Sequence, residues 1–137
     1  MELVLDTSAL LCRYLPDARR RYVADVMAEH DSWVVSALAR TEVLLALHQA
    51  AGEPERHRTL WDSVGRDWNL FWEVPLDARC MARTTEVGAR YGLSVANAIH
   101  LAAADRLPRP VEFLTLDRRQ IPAAADLGFH VRSPFEG

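Results

Sequence analysis

The chain has 137 residues, of which 50% are hydrophobic, and its formal net charge at pH 7 is −3. These values are typical of one folded domain of ordinary size and exclude an intrinsically disordered chain. The acidic balance also excludes a strongly basic nucleic-acid binder, so any contact with nucleic acid has to rely on local clusters of arginine.

Cysteine usage and the pattern of apolar runs indicate where such a chain works. No apolar run is long enough to span a membrane, and the N-terminus lacks the basic start and cleavage site of a signal peptide. Cys12 and Cys80 form neither a metal-binding spacing nor a disulfide framework. We therefore expect a reduced, cytoplasmic protein that makes no membrane contact. Without a visible repeat or linker, residues 1–137 are expected to form one domain.

Short apolar runs alternate along the chain with longer helical patterns. Five runs bounded by polar or turn-forming residues predict strands, in chain order over residues 2–5, 33–35, 70–74, 113–115 and 129–131. Proline, glycine and capping residues delimit seven predicted helices, over residues 7–15, 16–30, 37–51, 54–67, 78–91, 95–107 and 121–127. This alternation predicts an α/β fold with a parallel sheet covered on both faces, in which sites form beyond the carboxyl ends of the strands.

Three carboxylates lie at unusual places in this pattern. Asp6 follows the first strand directly, and Asp117 lies just beyond the fourth. Glu42 lies in the third helix with Leu38, Leu45 and Ala46 at one-turn spacing, which predicts an acid on an apolar stripe. Each also has an ordinary interpretation: the two aspartates as helix caps, and Glu42 as the partner of a nearby arginine.

Taken together, the three acids favour a metal site. Clustered carboxylates repel one another unless a cation neutralises them, and Mg²⁺ or Mn²⁺ is the hard, oxygen-seeking cation suited to this task. Such an ion activates water and stabilises charge on a phosphodiester during in-line displacement. The acids therefore predict metal-dependent phosphodiester hydrolysis.

Four segments also resemble a known family. In chain order, "LDTSALL", "SALARTEVLLAL", "LSVANAIHLAAA" and "FLTLDRR" resemble the four motifs of PIN-domain nucleases, and the length resembles that of VapC-type toxins of bacterial toxin–antitoxin pairs. The resemblance implies a three-layer α/β/α fold around a parallel sheet of four to five strands. It implies an Mg²⁺-dependent endoribonuclease, with Mn²⁺ as a substitute, that acts on tRNA or rRNA as a homodimer and is neutralised by a cognate antitoxin.

The same resemblance assigns residues to the site. Asp6, Glu42 and Asp117 are the expected metal ligands and catalytic residues, while Ser8 and Thr115 are the expected supporting hydroxyls. The third motif departs from the family pattern, because Asn97 stands where that pattern has Asp. Asn keeps an oxygen for the metal or its water but brings no charge, so we expect weaker metal binding.

Flanking residues add further expectations. His100, one helical turn after Asn97, is expected to be a hydrogen-bonded core residue rather than a ligand. Arg13, Arg118 and Arg119 are candidates for binding RNA phosphates, with solvated helix faces as the alternative. The aromatic-rich stretch 61–72 is expected to lie in the core or at a dimer interface rather than to stack on bases.

Two other functions remain open from the sequence. Because of Asn97, the chain could be a catalytically weakened PIN-like module that binds RNA or protein, and titration with Mg²⁺ while following RNA cleavage separates this alternative from the nuclease. A flavodoxin-like phosphate-handling domain is the weaker alternative, because no glycine-rich loop follows the first strand.

Overall fold

A computed structural model describes residues 1–135 and confirms the alternation of strands and helices. The five strands are β1 (Glu2–Leu5), β2 (Trp33–Ser36), β3 (Phe71–Val74), β4 (Val111–Leu114) and β5 (His130–Arg132). The helices are α1 (Thr7–Leu11), α2 (Arg20–Ala28), α3 (Ala37–Ala51), α4 (Pro54–Trp68), α5 (Ala78–Tyr91), α6 (Val95–Asp105) and α7 (Gln120–Asp126).

All five strands form one parallel sheet in the order β3-β2-β1-β4-β5. The chain moves outward from β1 to β3 and then returns to the other side of β1, so β1 and β4 are neighbours. Crossovers between parallel strands need the intervening helices, which cover the two faces of the sheet. The predicted three-layer α/β/α fold with a central parallel sheet is thereby confirmed.

Alternation along the strands divides the core into two halves. Leu3 and Leu5 of β1 pack on the face covered by α1 to α4. Val4 lies between them in sequence and packs on the opposite face, against α5, α6 and α7. This period of two residues is why a strand buried on both faces is apolar throughout. Among residues 1–135, none of the helices combines the length and hydrophobicity needed to cross a bilayer.

Helix boundaries follow local chemistry. Asp6, Asp77 and Ser94 accept hydrogen bonds from backbone N–H groups at the starts of α1, α5 and α6, as N-caps do. Gly92 ends α5 with φ = 64°, a left-handed conformation that favours glycine.

Several predicted boundaries were wrong by a few residues. The helix predicted from residue 16 begins at Arg20, because Asp17 holds the preceding residues in a turn by accepting from the Arg19 N–H at 2.8 Å. The helix predicted over 7–15 ends at Leu11, and the sixth helix ends at Asp105 rather than at residue 107.

Aromatic residues of the stretch 61–72 differ in burial. Phe71 belongs to the core, whereas Trp72, its neighbour in the edge strand β3, is 70% exposed and lies outside the core. Of the two roles expected for this stretch, core or dimer interface, Phe71 therefore has the first, and an interface role of Trp72 stays a prediction.

Candidate metal centre at the carboxyl ends of the central strands

Asp6 lies at the centre of the candidate site, directly after β1. Its carboxylate is buried, with 2% exposure, and its backbone N–H donates to Leu114 O of the neighbouring strand β4. Burial raises the pKa of Asp6 above its usual value, although hydrogen bonds from surrounding groups and the proximity of His100 oppose this rise. No arginine in the described part of the chain forms a salt bridge with this carboxylate. A cation bound beside it would relieve the cost of this buried charge.

Two hydroxyls hold the Asp6 carboxylate in place. Ser8 Oγ donates to Asp6 Oδ1 at 2.6 Å and accepts from the Leu116 N–H at 2.9 Å. Thr115 Oγ1 donates to Asp6 Oδ2 and accepts from the Asp117 N–H at 3.0 Å. Each hydroxyl thus ties the end of β1 to the segment that follows β4. This places Ser8 and Thr115, the two predicted supporting residues, around Asp6.

Glu42 reaches the same region from α3. Thr7 Oγ1, from the residue next to Asp6, donates to Glu42 Oε1 at 2.6 Å, and His100 Nε2 lies 2.7 Å from the same oxygen. Partial burial raises the pKa of Glu42, but the hydrogen bonds from His100 and Thr7 outweigh this effect and hold the pKa below its usual value. Within residues 1–135, these hydrogen bonds go to Oε1 alone, so Oε2 has capacity for another ligand.

The surroundings of Glu42 differ from the predicted apolar stripe. The residues of α3 that face the core are Ala39, Val43, Leu47 and Ala51. Glu42 lies beside this row with its side chain 31% exposed, and Leu45 is 57% exposed. The apolar neighbours of Glu42 therefore belong in part to the surface, and the carboxylate lies at the boundary between core and solvent.

His100 joins three elements beneath the site. Its ring is 2% exposed; Nε2 faces Glu42, while Nδ1 lies 3.0 Å from Ser36 Oγ at the end of β2. A carboxylate can only accept, so Nε2 carries the proton of this hydrogen bond, and in the neutral ring Nδ1 accepts from Ser36. The expectation that His100 is a hydrogen-bonded core residue is confirmed. Sequence reasoning missed Ser36, whose only signal was its position at a strand end.

Asn97 and Asp117 form the third part of the site. Asn97 Nδ2 donates to Asp117 Oδ2 at 3.1 Å, and Gln120 Nε2 donates to Asn97 O at 3.1 Å. Asp117 also accepts from the Arg119 guanidinium, at 3.1 Å for both of its oxygens. Burial raises the pKa of Asp117, but the hydrogen bonds from Arg119 and Asn97 outweigh it and hold the pKa below its usual value. Sequence reasoning missed Gln120, which is fully buried.

Of the three arginines expected to bind RNA, Arg119 pairs with Asp117, and the other two have different surroundings. Arg13 is partly buried, forms a salt bridge to Asp67 at 3.3 Å and lies over the ring of Trp33. Arg118 is exposed, and its guanidinium lies over the ring of Phe135 at 4.3 Å. Arg118 is therefore freer to meet a ligand than Arg13, whose charge already has a partner.

Hydrogen bonds tie the segments that carry the three acids to one another. Thr115 joins the Asp6 carboxylate to the backbone N–H of Asp117, and Thr7, the residue that follows Asp6, donates to Glu42. Within residues 1–135, no group of three or more His, Cys, Asp or Glu side chains is arranged to hold a metal ion as it stands. The donor chemistry nevertheless fits Mg²⁺ or Mn²⁺, since every candidate atom is a hard oxygen and the central carboxylate is buried without a salt bridge.

Comparison with known proteins defines the family to which this fold belongs. The family profile described as "PIN domain" matches residues 3–126, so the chain belongs to the PIN domain family, as predicted. PIN domains are generally nucleases. A comparison with curated proteins finds no match.

Several solved structures share the fold. A toxin–antitoxin complex from Klebsiella pneumoniae superposes with a TM-score of 0.72 at 17% identity, covering 98% of this chain and 99% of that chain. FitAcB from Neisseria gonorrhoeae gives a TM-score of 0.78 at 18% identity, with coverages of 98% and 99%. VapBC2 from Rickettsia felis, bound to a DNA fragment from its promoter, gives 0.63 at 12% identity, with coverages of 97% and 98%.

Proposed function

We propose that this protein is a magnesium-dependent endoribonuclease of the VapC toxin type. It hydrolyses phosphodiester bonds in RNA of the tRNA or rRNA class, and a cognate antitoxin neutralises it. The observation that carries the proposal is the burial of Asp6 at the carboxyl end of β1, with Asp117 and Glu42 connected to its surroundings by hydrogen bonds.

In the proposed mechanism, four side chains would hold the metal: the carboxylates Asp6, Glu42 and Asp117, and Asn97 as a neutral oxygen donor. When bound, Mg²⁺, or Mn²⁺ in its place, lowers the pKa of a water nucleophile and stabilises charge on the phosphodiester. No protein nucleophile is required.

The surrounding residues position these ligands. Ser8 and Thr115 fix the orientation of the Asp6 carboxylate, which is the least exposed of the four proposed ligands. Thr7 and His100 hold Glu42 by one oxygen and leave the other directed elsewhere. Preorganisation of this kind reduces the reorganisation needed when charge develops in the reaction.

Partners and compartment complete the proposal. The solved structures of similar fold are complexes named for toxin and antitoxin or for paired proteins, which supports an antitoxin partner here. Arg118 is next to Asp117 in sequence and exposed, so it supplies positive charge for RNA phosphates, whereas Arg119 and Arg13 already form salt bridges to Asp117 and Asp67. A homodimer accords with the motif resemblance. A cytoplasmic location accords with the two free, buried cysteines.

The central experiment replaces Asp6 by Asn. Loss of the central carboxylate should cost several kcal/mol of transition-state stabilisation and lower the rate of RNA cleavage with Mg²⁺ by at least about 10²-fold. Asp62→Asn is the matched control, because it makes the same chemical change at an exposed position on α4. Cleavage of structured RNA by antitoxin-free protein, with and without a chelator, provides the measurement, and circular dichroism checks the fold.

Two results would contradict the proposal in different ways. Full activity of Asp6→Asn would reject the carboxylate mechanism. Folded wild-type protein that neither binds Mg²⁺ nor cleaves RNA would instead favour the non-catalytic PIN-like module that binds RNA or protein, for which Asn97 is the motivating residue.

A further inference from the structure

A pair of histidines lies at the junction of α3 and α4, which belongs to no part of the carboxylate centre. His48 is in the last turn of α3 and His57 in the first turns of α4, on either side of the bend at Gly52. His48 Nδ1 lies 3.3 Å from His57 Nε2, and the ring planes are inclined at 76°. The pair lies at the surface, where an added ion can replace the hydrogen bond between these two nitrogens.

The separation of these two nitrogens matches a chelate. Two imidazole nitrogens bound to one Zn²⁺ at about 2.0–2.1 Å and at the tetrahedral angle are about 3.3–3.4 Å apart. Since a metal ion can take either ring nitrogen of a neutral histidine, the combination of Nδ1 and Nε2 is acceptable. The pair could equally share one proton in a hydrogen bond, and the experiment below separates these two interpretations.

The chain holds the pair in this geometry. The ring of His57 packs edge-on against Trp61, with centroids 4.2 Å apart, and Trp61 Nε1 donates to Leu44 O of α3 at 3.0 Å. His57 is therefore held between His48 of α3 and Trp61 of its own helix, α4. A preorganised pair of ligands loses less conformational entropy on binding than two mobile side chains.

A cleft next to the pair provides room for an ion and its waters. Its volume is about 400 Å³, and its lining includes Gln49 and Glu53 as well as both histidines. The carboxylate of Glu53 adds negative charge to the same space. The two histidines supply two ligands from the protein, and water would fill the other coordination positions of the ion.

We propose that His48 and His57 form a chelating site for a borderline divalent transition metal ion of the Zn²⁺, Cu²⁺ and Ni²⁺ class. Imidazole nitrogen suits these ions, whereas Mg²⁺ and Mn²⁺ favour the oxygens of the carboxylate centre. Binding ties the C-terminal turn of α3 to the start of α4 across the bend. The site is independent of the proposed nuclease function.

The test is a calorimetric titration of the purified protein with Zn²⁺ in a buffer that does not chelate it. We expect one equivalent to bind, and Asp6→Asn to bind it equally, because that change disables the carboxylate centre alone. His57→Ala and His48→Ala should each raise the Kd by about 10²-fold, since removal of one ligand abolishes the chelate. His130→Ala is the matched control, because it removes an exposed histidine of β5 and should change nothing.

Thermal unfolding gives a second readout. Excess Zn²⁺ should raise the midpoint of Asp6→Asn but leave that of the folded double variant Asp6→Asn/His57→Ala unchanged, because ligands that bind only the native state stabilise it and the double variant lacks both sites. Binding that survives both histidine substitutions, or no saturable binding of Zn²⁺, would overturn the proposal and reduce the pair to a hydrogen bond. Binding abolished by Asp6→Asn would also overturn it, because the ion would then belong to the carboxylate centre.

Discussion

Asn97→Asp restores the acid that the motif pattern has at this position, and its consequences can be worked out from one contact. Asn97 Nδ2 donates to Asp117 Oδ2 at 3.1 Å. The substitution replaces this donor by a second carboxylate, so it removes a charge-assisted hydrogen bond worth about 1.5–3 kcal/mol. It also brings two negative charges to roughly 4 Å, where their repulsion is at most about 4 kcal/mol at an effective dielectric constant of about 20.

Compensation reduces the sum of these two costs. Arg119 remains beside Asp117, and the Asp117 side chain is 19% exposed, so solvent screens part of the repulsion. One of the two carboxyls can also take up a proton. We therefore expect a net cost of about 2–4 kcal/mol without divalent metal, which lowers the unfolding midpoint by roughly 5–15 °C for a domain of this size.

Divalent metal should reverse the effect. A cation bound between the carboxylates would remove the repulsion between them. The free energy of unfolding that Asn97→Asp loses without metal would then add to the free energy of metal binding. If only about 1.4 kcal/mol returns, Mg²⁺ binds about tenfold more tightly than to the wild type. Nuclease activity at limiting Mg²⁺ should rise correspondingly.

The assay is thermal unfolding of wild type and variant in a chelator and in rising Mg²⁺. Asn97→Ala is one control, because it removes the hydrogen bond without adding charge and should be stabilised by Mg²⁺ no more than the wild type is. The exchange variant Asn97→Asp/Asp117→Asn is the other, because it restores an amide–carboxylate pair with unchanged net charge and should recover stability in the chelator. An Asn97→Asp protein that loses no stability in the chelator, or whose loss persists in saturating Mg²⁺, would refute the reasoning.

Two further predictions concern Asp6 and its surroundings. The raised pKa of Asp6 means that the folded state binds the proton more tightly than the unfolded chain, so stability falls as pH rises through the interval from the usual pKa to the folded one. Urea unfolding in the presence of a chelator should therefore show that Asp6→Asn is more stable than the wild type at neutral pH. The difference between their free energies of unfolding should shrink as the pH falls through that interval. A difference that grows in acid would contradict this prediction. Thr115→Val should lose about 1–3 kcal/mol, because it leaves Asp6 Oδ2 and the Asp117 N–H without a partner, whereas Thr115→Ser retains the hydroxyl and should lose less. Equal losses in the two Thr115 variants would assign the effect to packing instead.

The sequence predicted the parts of the site that follow from parallel-sheet geometry. Asp6 and Asp117 come just after strands that proved to be neighbours, so their proximity follows from the rule that sites form at the carboxyl ends of strands. The strand order itself was not predictable, because apolar runs that are buried on both faces carry no signal of which strand lies beside which.

Side-chain partnerships across the fold were beyond sequence reasoning. Glu42 was identified from an apolar pattern that the structure shows to be partly surface, with Leu45 exposed, so the residue was found although its environment was misjudged. The hydrogen bond from Asn97 to Asp117 depends on how α6 lies against the segment after β4, and no local pattern encodes that distance. Periodicity reports which side of a helix is apolar, whereas the donor that meets a carboxylate is fixed by tertiary packing.

The first turn of α1 shows why capping and metal binding are compatible roles for Asp6. Asp6 Oδ1 accepts from the Ala9 N–H at 3.1 Å, which is the N-cap bond, while Oδ2 faces Thr115. An asparagine at position 6 can retain the cap by accepting through its side-chain oxygen, and its nitrogen can donate to Thr115 Oγ1. The hydroxyl of Thr115 can then donate to Ser8 Oγ, which lies 3.5 Å away. The hydrogen bonds of the turn can thus be kept while the charge is lost. Loss of activity in Asp6→Asn would therefore report on the carboxylate charge rather than on the helix that it caps.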